Sequence, residues 1–271
     1  MMDSYLRFFE LTEPAFSKET ADKDLWLPPS KQDVVDQICE AVHDHEQIAL
    51  HGEPGVGKTC VLRAVRQCLP QAGFRLTYCH NSTLGRRDFY RQLCLALGLS
   101  PAATAAAVFY AVSLHVENLA RERIHPVFLL DEAQLLHQDM LDHLQILLNY
   151  EWDSRALLSL ILVGTPELVD RLELRKNRAL YSRIHRRLTI GPMTCDDTVD
   201  YIRMRLRRVG CDREIFASDA IALLHDLAGS SMREVDRLAT AALREAARRK
   251  KKRVERDVVE RVAGNVPSSD G

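Results

Sequence analysis

Gly52-Glu53-Pro54-Gly55-Val56-Gly57-Lys58-Thr59 fits the pattern G-x-x-x-x-G-K-[ST], between an apolar strand-like run and a helix-like run. Glycines let a backbone wrap closely around a phosphate. The amides of Gly55, Gly57, Lys58 and Thr59 can point into that concavity, where a helix N-terminus adds partial positive charge. Lys58 is placed to reach β- and γ-phosphates, and the Thr59 hydroxyl to ligate Mg²⁺. Gly52 through Cys60 is therefore the candidate nucleotide site, with ATP and Mg²⁺ as its ligands.

A second constellation is Val127-Phe128-Leu129-Leu130-Asp131-Glu132, an apolar strand that delivers two carboxylates at its carboxyl end. Ligands gather at that end in open α/β sheets. Asp131 suits an outer or water-mediated Mg²⁺ contact, and Glu132 suits polarising the water that attacks a γ-phosphate. The competing reading makes Asp131 the N-cap of a following helix. Leu162-Val163-Gly164-Thr165-Pro166-Glu167-Leu168 is a third piece, in which Thr165 either faces the γ-phosphate or caps the helix opened by Pro166.

Tyr181-Ser182-Arg183-Ile184-His185-Arg186-Arg187-Leu188 reads as a helix end ahead of the last strand. An arginine there can reach the site of a neighbouring subunit and stabilise transition-state charge. Arg183 is the first choice, with Arg186 and Arg187 as rivals. Arg233 lies in the first turn of a helix, where its charge opposes the helix dipole. That conflict points to a nucleotide contact.

These residues need a scaffold, and the spacing supplies one. Strands are expected at Gln47 to His51, Phe74 to Cys79, Val127 to Leu130 and Leu157 to Val163. They alternate with helices at Lys31 to His43, Lys58 to Leu69, Arg86 to Leu97, Ala102 to Arg121 and Gln134 to Tyr150. The pattern predicts an α/β fold with a parallel sheet covered by helices. After Pro192 only helices are expected, at Thr194 to Arg208, Ser218 to Leu227, Met232 to Lys250 and Arg256 to Val262. The expected domains are residues 1–46 as an N-terminal segment and linker, 47–191 as the nucleotide-binding domain, and 192–271 as a helical lid.

The 46% hydrophobic content of the 271 residues supports a sizeable core, and the net charge of −1 singles out no partner. Acids dominate ahead of the glycine-rich loop, whereas bases dominate between Arg171 and Arg208. Arg248 to Arg253 is an unbroken basic run at a helix end. Seven cysteines without C-x-x-C or zinc spacing suggest reduced thiols and a cytoplasmic setting. No apolar run approaches the ~20 residues of a membrane span, so no membrane partner is expected. The histidines show no metal-ligand spacing. Asn81, at the end of the second strand, is positioned to hold Glu132.

The motif set resembles the AAA+ P-loop ATPases of the ExeA/GspA-like and TnsC/TniB-like group. It comprises Gly-x-Pro-Gly-x-Gly-Lys-Thr, Asp131-Glu132-Ala133-Gln134, Val-Gly-Thr-Pro-Glu-Leu, Ser-Arg-Ile and Met232-Arg233-Glu234-Val235, in that order. The opening Tyr5-Leu6-Arg7-Phe8-Phe9 and Glu13-Pro14-Ala15-Phe16 resemble the ExeA-like N-terminus. By that resemblance Lys58 and Thr59 are Walker A and Asp131 and Glu132 Walker B. Thr165 is then sensor 1, Arg183 the arginine finger and Arg233 sensor 2, and Trp26 to Lys31 is a linker beside the adenine. Thr165 departs from the Gln common in ExeA-like proteins. The resemblance implies ATP hydrolysis controlling a homo-oligomer, ring or helical filament, that assembles on double-stranded DNA and recruits or activates a transposase or targeting protein. Arg86 and Arg87 then become candidate DNA contacts. The alternative is an ExeA-like role that couples hydrolysis to secretion or protein remodelling.

Overall fold

The computed structural model describes residues 4–17, 25–79, 85–100, 104–150, 154–229 and 231–264; Asn81 lies outside them. Five strands form one parallel sheet: β1 (Gln47–His51), β2 (Phe74–Cys79), β3 (His125–Leu130), β4 (Ser159–Gly164) and β5 (Ile184–Thr189), in the order β2-β3-β4-β1-β5. β3 and β4 are buried at every position, which is why their sequences are almost continuously apolar. The helices are α1 (Ser4–Phe9), α2 (Pro29–His43), α3 (Lys58–Cys68), α4 (Arg86–Ala96), α5 (Ala105–Arg121), α6 (Gln138–Leu147), α7 (Pro166–Glu173) and α8 (Arg178–Tyr181). The series continues with α9 (Cys195–Arg208), α10 (Ser218–Ala228), α11 (Met232–Arg248) and α12 (Arg256–Gly264).

Contacts divide the chain into two compact units. The α/β unit comprises Pro29–Glu53 and Lys58–Ile190; the other comprises Met1–Pro28, Pro54–Gly57 and Gly191–Gly271. In the α/β unit β1 is an interior strand, flanked by β4 and β5, so the loop leaving its carboxyl end opens beside the neighbouring strand ends. Buried Gln47 ties β1 to β4 by side chain, accepting from the Leu160 amide (2.6 Å) and donating to the Leu158 carbonyl (3.1 Å). At the same, amino-terminal end of the sheet His125 contacts the Ser159 hydroxyl at 3.0 Å. Burial and then the stacked His45 ring push its imidazole pKa down to about 3, so it is a neutral packing residue.

Two elements differ from expectation. The helix predicted over Gln134 to Tyr150 is a 3-10 turn at Ala133–Leu135 followed by α6, because Leu136 and His137 have extended backbones. The arginine cluster does not precede the last strand: Arg186 and Arg187 lie inside β5.

The second unit has its own apolar core, including Leu6, Phe9, Ile202, Leu224, Leu238 and Val258. Its N-terminal aromatics are structural, since α1 packs on α11 and buries Tyr5, Leu6 and Phe9. Buried Arg205 donates to the carbonyls of Ala15 and Ser17, both at 2.6 Å, which clamps the segment after α1 onto α9. Thr194 and Asp197 form a reciprocal capping box at the start of α9. All seven cysteines carry free thiols. Among the described residues no helix is long and apolar enough to cross a membrane.

Candidate nucleotide site

The loop starts where β1 stops. The Gly52 amide donates to the Gly164 carbonyl (3.2 Å), which fixes the first loop residue beside the end of β4. Gly55 and Gly57 have φ of 86° and 101°, a region that side-chain-bearing residues enter only with strain. Gly55 has a second reason to be glycine: its carbonyl accepts from the Met232 amide (3.2 Å), and a Cβ would run into the Ser231 hydroxyl. Pro54 and Glu53 are exposed, and Val56 is buried. Thr59 and Cys60 follow Lys58 in the first turn of α3.

The Lys58 ammonium donates to the carbonyls of Gly52 (2.6 Å) and Glu53 (3.1 Å). Burial lowers its pKa, opposed by the carboxylates of Glu132, Asp131, Glu53 and Glu167. Lys58 thus sits in the field of both carboxylates at the end of β3. Asp131 is held at each oxygen: Oδ2 accepts from the Tyr78 hydroxyl (2.7 Å) and Oδ1 from the Glu132 amide (2.9 Å). Burial and the bond to Asp131 raise the Tyr78 pKa, so its phenol stays a donor. Among the described residues no group of three or more His, Cys, Asp or Glu is arranged to hold a metal. A Mg²⁺ ion bound together with a nucleotide would take phosphate oxygens and water among its ligands.

Glu132 adopts a left-handed backbone, φ 52° and ψ 38°. Its Oε2 accepts from Gln134 Nε2 at 2.7 Å, and Gln134 Oε1 accepts from the Thr165 amide at 3.3 Å. Thr165 occupies the N-cap position of α7 without a side-chain capping bond. Its hydroxyl instead donates to Glu167, whose pKa is lowered chiefly by that bond. Sequence reasoning assigned no role to Gln134 or Tyr78. Gln134 had a signal, as the last residue of Asp-Glu-Ala-Gln; Tyr78, on an otherwise ordinary strand, had none.

Of the three arginines, Arg186 is committed within its own unit, to Glu46 (2.7 Å) and Glu40 (3.3 Å). Arg187 lies 4.0 Å over the Tyr181 ring and donates to the Tyr181 carbonyl (3.2 Å). Arg183, in the turn between α8 and β5, donates to the Ala179 carbonyl (3.2 Å). Arg233 is in the first turn of α11 and lines a cleft of about 710 Å³ with Phe16, Asp236, Arg237 and Arg244. Arg86 and Arg87 are exposed at the start of α4, where Gly85 provides no side-chain cap. In the basic run, Arg248 pairs with Glu245, Arg249 with Asp257, and Lys251 with Glu255 and Asp257, each at 2.9 Å.

The positive-φ glycines, the lysine in a field of carboxylates and the tethered Asp131 fit a nucleoside triphosphate with Mg²⁺. The architecture is the P-loop AAA fold. Residues 42–172 match the family described as AAA domain. The chain is similar to general secretion pathway protein A of Aeromonas hydrophila, 33% identical over 243 residues, which is 88% of this chain and 44% of that protein. It thus spans less than half the length of that relative.

Solved structures share the fold. Cdc6p from Pyrobaculum aerophilum matches with a TM-score of 0.68 at 19% identity over 95% of this chain and 72% of its own. Drosophila ORC bound to DNA gives 0.71 at 18%, over 96% and 65%. The Thermotoga maritima RuvB Holliday junction branch migration motor gives 0.59 at 15%, over 92% and 72%.

Proposed function

We propose that this ATPase is a regulator that assembles as a homo-oligomer on duplex DNA and recruits or activates a transposase, with hydrolysis timing assembly and disassembly. Gly52 through Cys60 cradle the phosphates, and Lys58 bonds the β- and γ-phosphates. Thr59 and Asp131 would hold Mg²⁺, which would supply neutralisation of phosphate charge. Glu132 orients the attacking water, and Thr165 faces the γ-phosphate. Arg183 acts on a neighbouring subunit's nucleotide and Arg233 contacts the nucleotide from the helical lid.

The observation that carries the DNA reading is the exposed Arg86-Arg87 pair in the first turn of α4. The helix dipole disfavours cations there, so the pair adds nothing to helix stability through the dipole and presents positive charge to solvent. If both arginines neutralise phosphates, binding falls with salt and carries little sequence preference. We expect ATP turnover and particle size to rise with duplex DNA at low salt. Replacing Arg86 and Arg87 by alanine should flatten the log–log salt dependence by about 0.9 per lost phosphate contact. Turnover and particle size indifferent to DNA would remove this reading.

The second reading is energy coupling for secretion, favoured by the 33% identity to the secretion protein. It predicts stimulation by a protein substrate and none by DNA.

Arg183→Ala should bind ATP with unchanged affinity and lose roughly 10³-fold in turnover, the scale of an arginine finger. Mixing it with Glu132→Gln subunits should restore activity, because each variant supplies what the other lacks. Mixtures that stay inactive, or a fully active monomer, rule out the role in trans.

A further inference from the structure

The two ends of the Gln134 carboxamide face different partners. Nε2 donates to the Glu132 carboxylate at 2.7 Å, and Oε1 accepts from the backbone amide of Thr165 at 3.3 Å. The orientation is determined chemically. A flipped amide would set its NH₂ against the Thr165 N–H and its oxygen against a carboxylate oxygen. Space for the carboxamide exists only because residue 164 is glycine, since a Cβ there would lie 2.5 Å from Gln134 Oε1. The Gln134 backbone is also held: the Arg171 guanidinium donates to the Gln134 carbonyl, and to the Leu136 carbonyl at 2.6 Å. The Asn177 carboxamide in turn donates to the Arg171 carbonyl at 2.6 Å.

We infer that Gln134 is a positioning residue for hydrolysis, orienting the Glu132 carboxylate and tying it to the end of β4 at Thr165. The inference rests on the ATPase reading of this site. Glu132 leaves β3 in a left-handed turn, so regular secondary structure does not aim its side chain. The bond to Oε2 restricts the carboxylate and leaves Oε1 for a water. Through the opposite end of the same amide, movement of the Thr165 backbone is passed to Glu132.

The test is single-turnover hydrolysis and fluorescent-nucleotide affinity for wild type, Gln134→Ala and Gln134→Glu, with Gln134→Ala repeated on a Glu132→Asp background. Removing the donor should lower kcat roughly 10- to 100-fold, the range that misplacing a catalytic group costs, with nucleotide affinity unchanged. Gln134→Glu keeps the size but replaces the donor with a second carboxylate, so it should lose more than Gln134→Ala. A space-filling role predicts the reverse order. On the Glu132→Asp background Gln134→Ala should add little, because both changes act through one carboxylate.

Wild-type turnover in Gln134→Ala, a loss confined to affinity, or losses that multiply on the second background would each overturn the inference. Failure of the wild type to hydrolyse ATP would instead overturn the ATPase reading itself, so the two failures are separable.

Discussion

Lys58→Ala should weaken ATP binding by roughly 10²- to 10⁴-fold, the equivalent of about two hydrogen bonds to charged groups at ~1.5–3 kcal/mol each. The lysine ammonium lies 2.6 Å from the Gly52 carbonyl and 3.1 Å from that of Glu53, and it sits in the field of four carboxylates. A triphosphate exchanges those neutral acceptors for anionic oxygens, so the charge gains most when the nucleotide is present. The fold should not suffer. Burial is the largest influence on Lys58 and it disfavours the charged form, so the side chain is retained at a cost to the empty domain. The measurement is a fluorescent-nucleotide titration beside a thermal melt. Lost affinity with an unchanged melting temperature supports the phosphate role; wild-type affinity would refute it, and a collapsed melt would mean Lys58 is structural.

The parts most legible in sequence were those where one physical requirement dictates residue type. β3 and β4 are covered on both faces, so Val127 to Leu130 and Leu160 to Val163 had to be apolar. The loop was legible because Gly55 and Gly57 sit at positive φ and Lys58 follows at once. β5 was harder to place. As an edge strand it exposes His185 and Arg187, and only Ile184 and Leu188 are buried, so its arginines read as belonging to a helix end. Helix α1 has six residues, too few to show a period, and is stabilised by packing on α11.

The break between Glu132 and α6 was invisible for a different reason. Leu136, Leu141, Leu144 and Leu148 hold helical spacing, and nothing local shows that Arg171, from α7, takes the carbonyls of Gln134 and Leu136. Likewise the Tyr78 bond to Asp131 joins residues 53 apart in sequence, brought together by the β2–β3 pairing. The residue types of the site could be read from sequence; the hydrogen bonds that aim them are made by tertiary structure.

Glu132→Gln should separate binding from hydrolysis more cleanly than any other single change. The carboxamide has the same shape and can keep the left-handed backbone, and its oxygen can still accept from Gln134 Nε2 at the 2.7 Å now made by the carboxylate. What disappears is the negative charge and the capacity to take a proton. Turnover should fall by about 10²- to 10⁴-fold, the contribution of a positioned general base. Affinity should hold or improve, because one of the carboxylates facing an incoming triphosphate has been neutralised. ATP then stays bound, and if the ATP form is the assembled form, oligomers should accumulate and persist after ATP addition instead of decaying. Particle sizing over time beside single-turnover hydrolysis reads both effects. A variant that hydrolyses at the wild-type rate would move the water-orienting role elsewhere in the site. A variant that stops hydrolysis yet leaves particle size unchanged would keep Glu132 as the polarising group and dismiss hydrolysis as the timer of assembly.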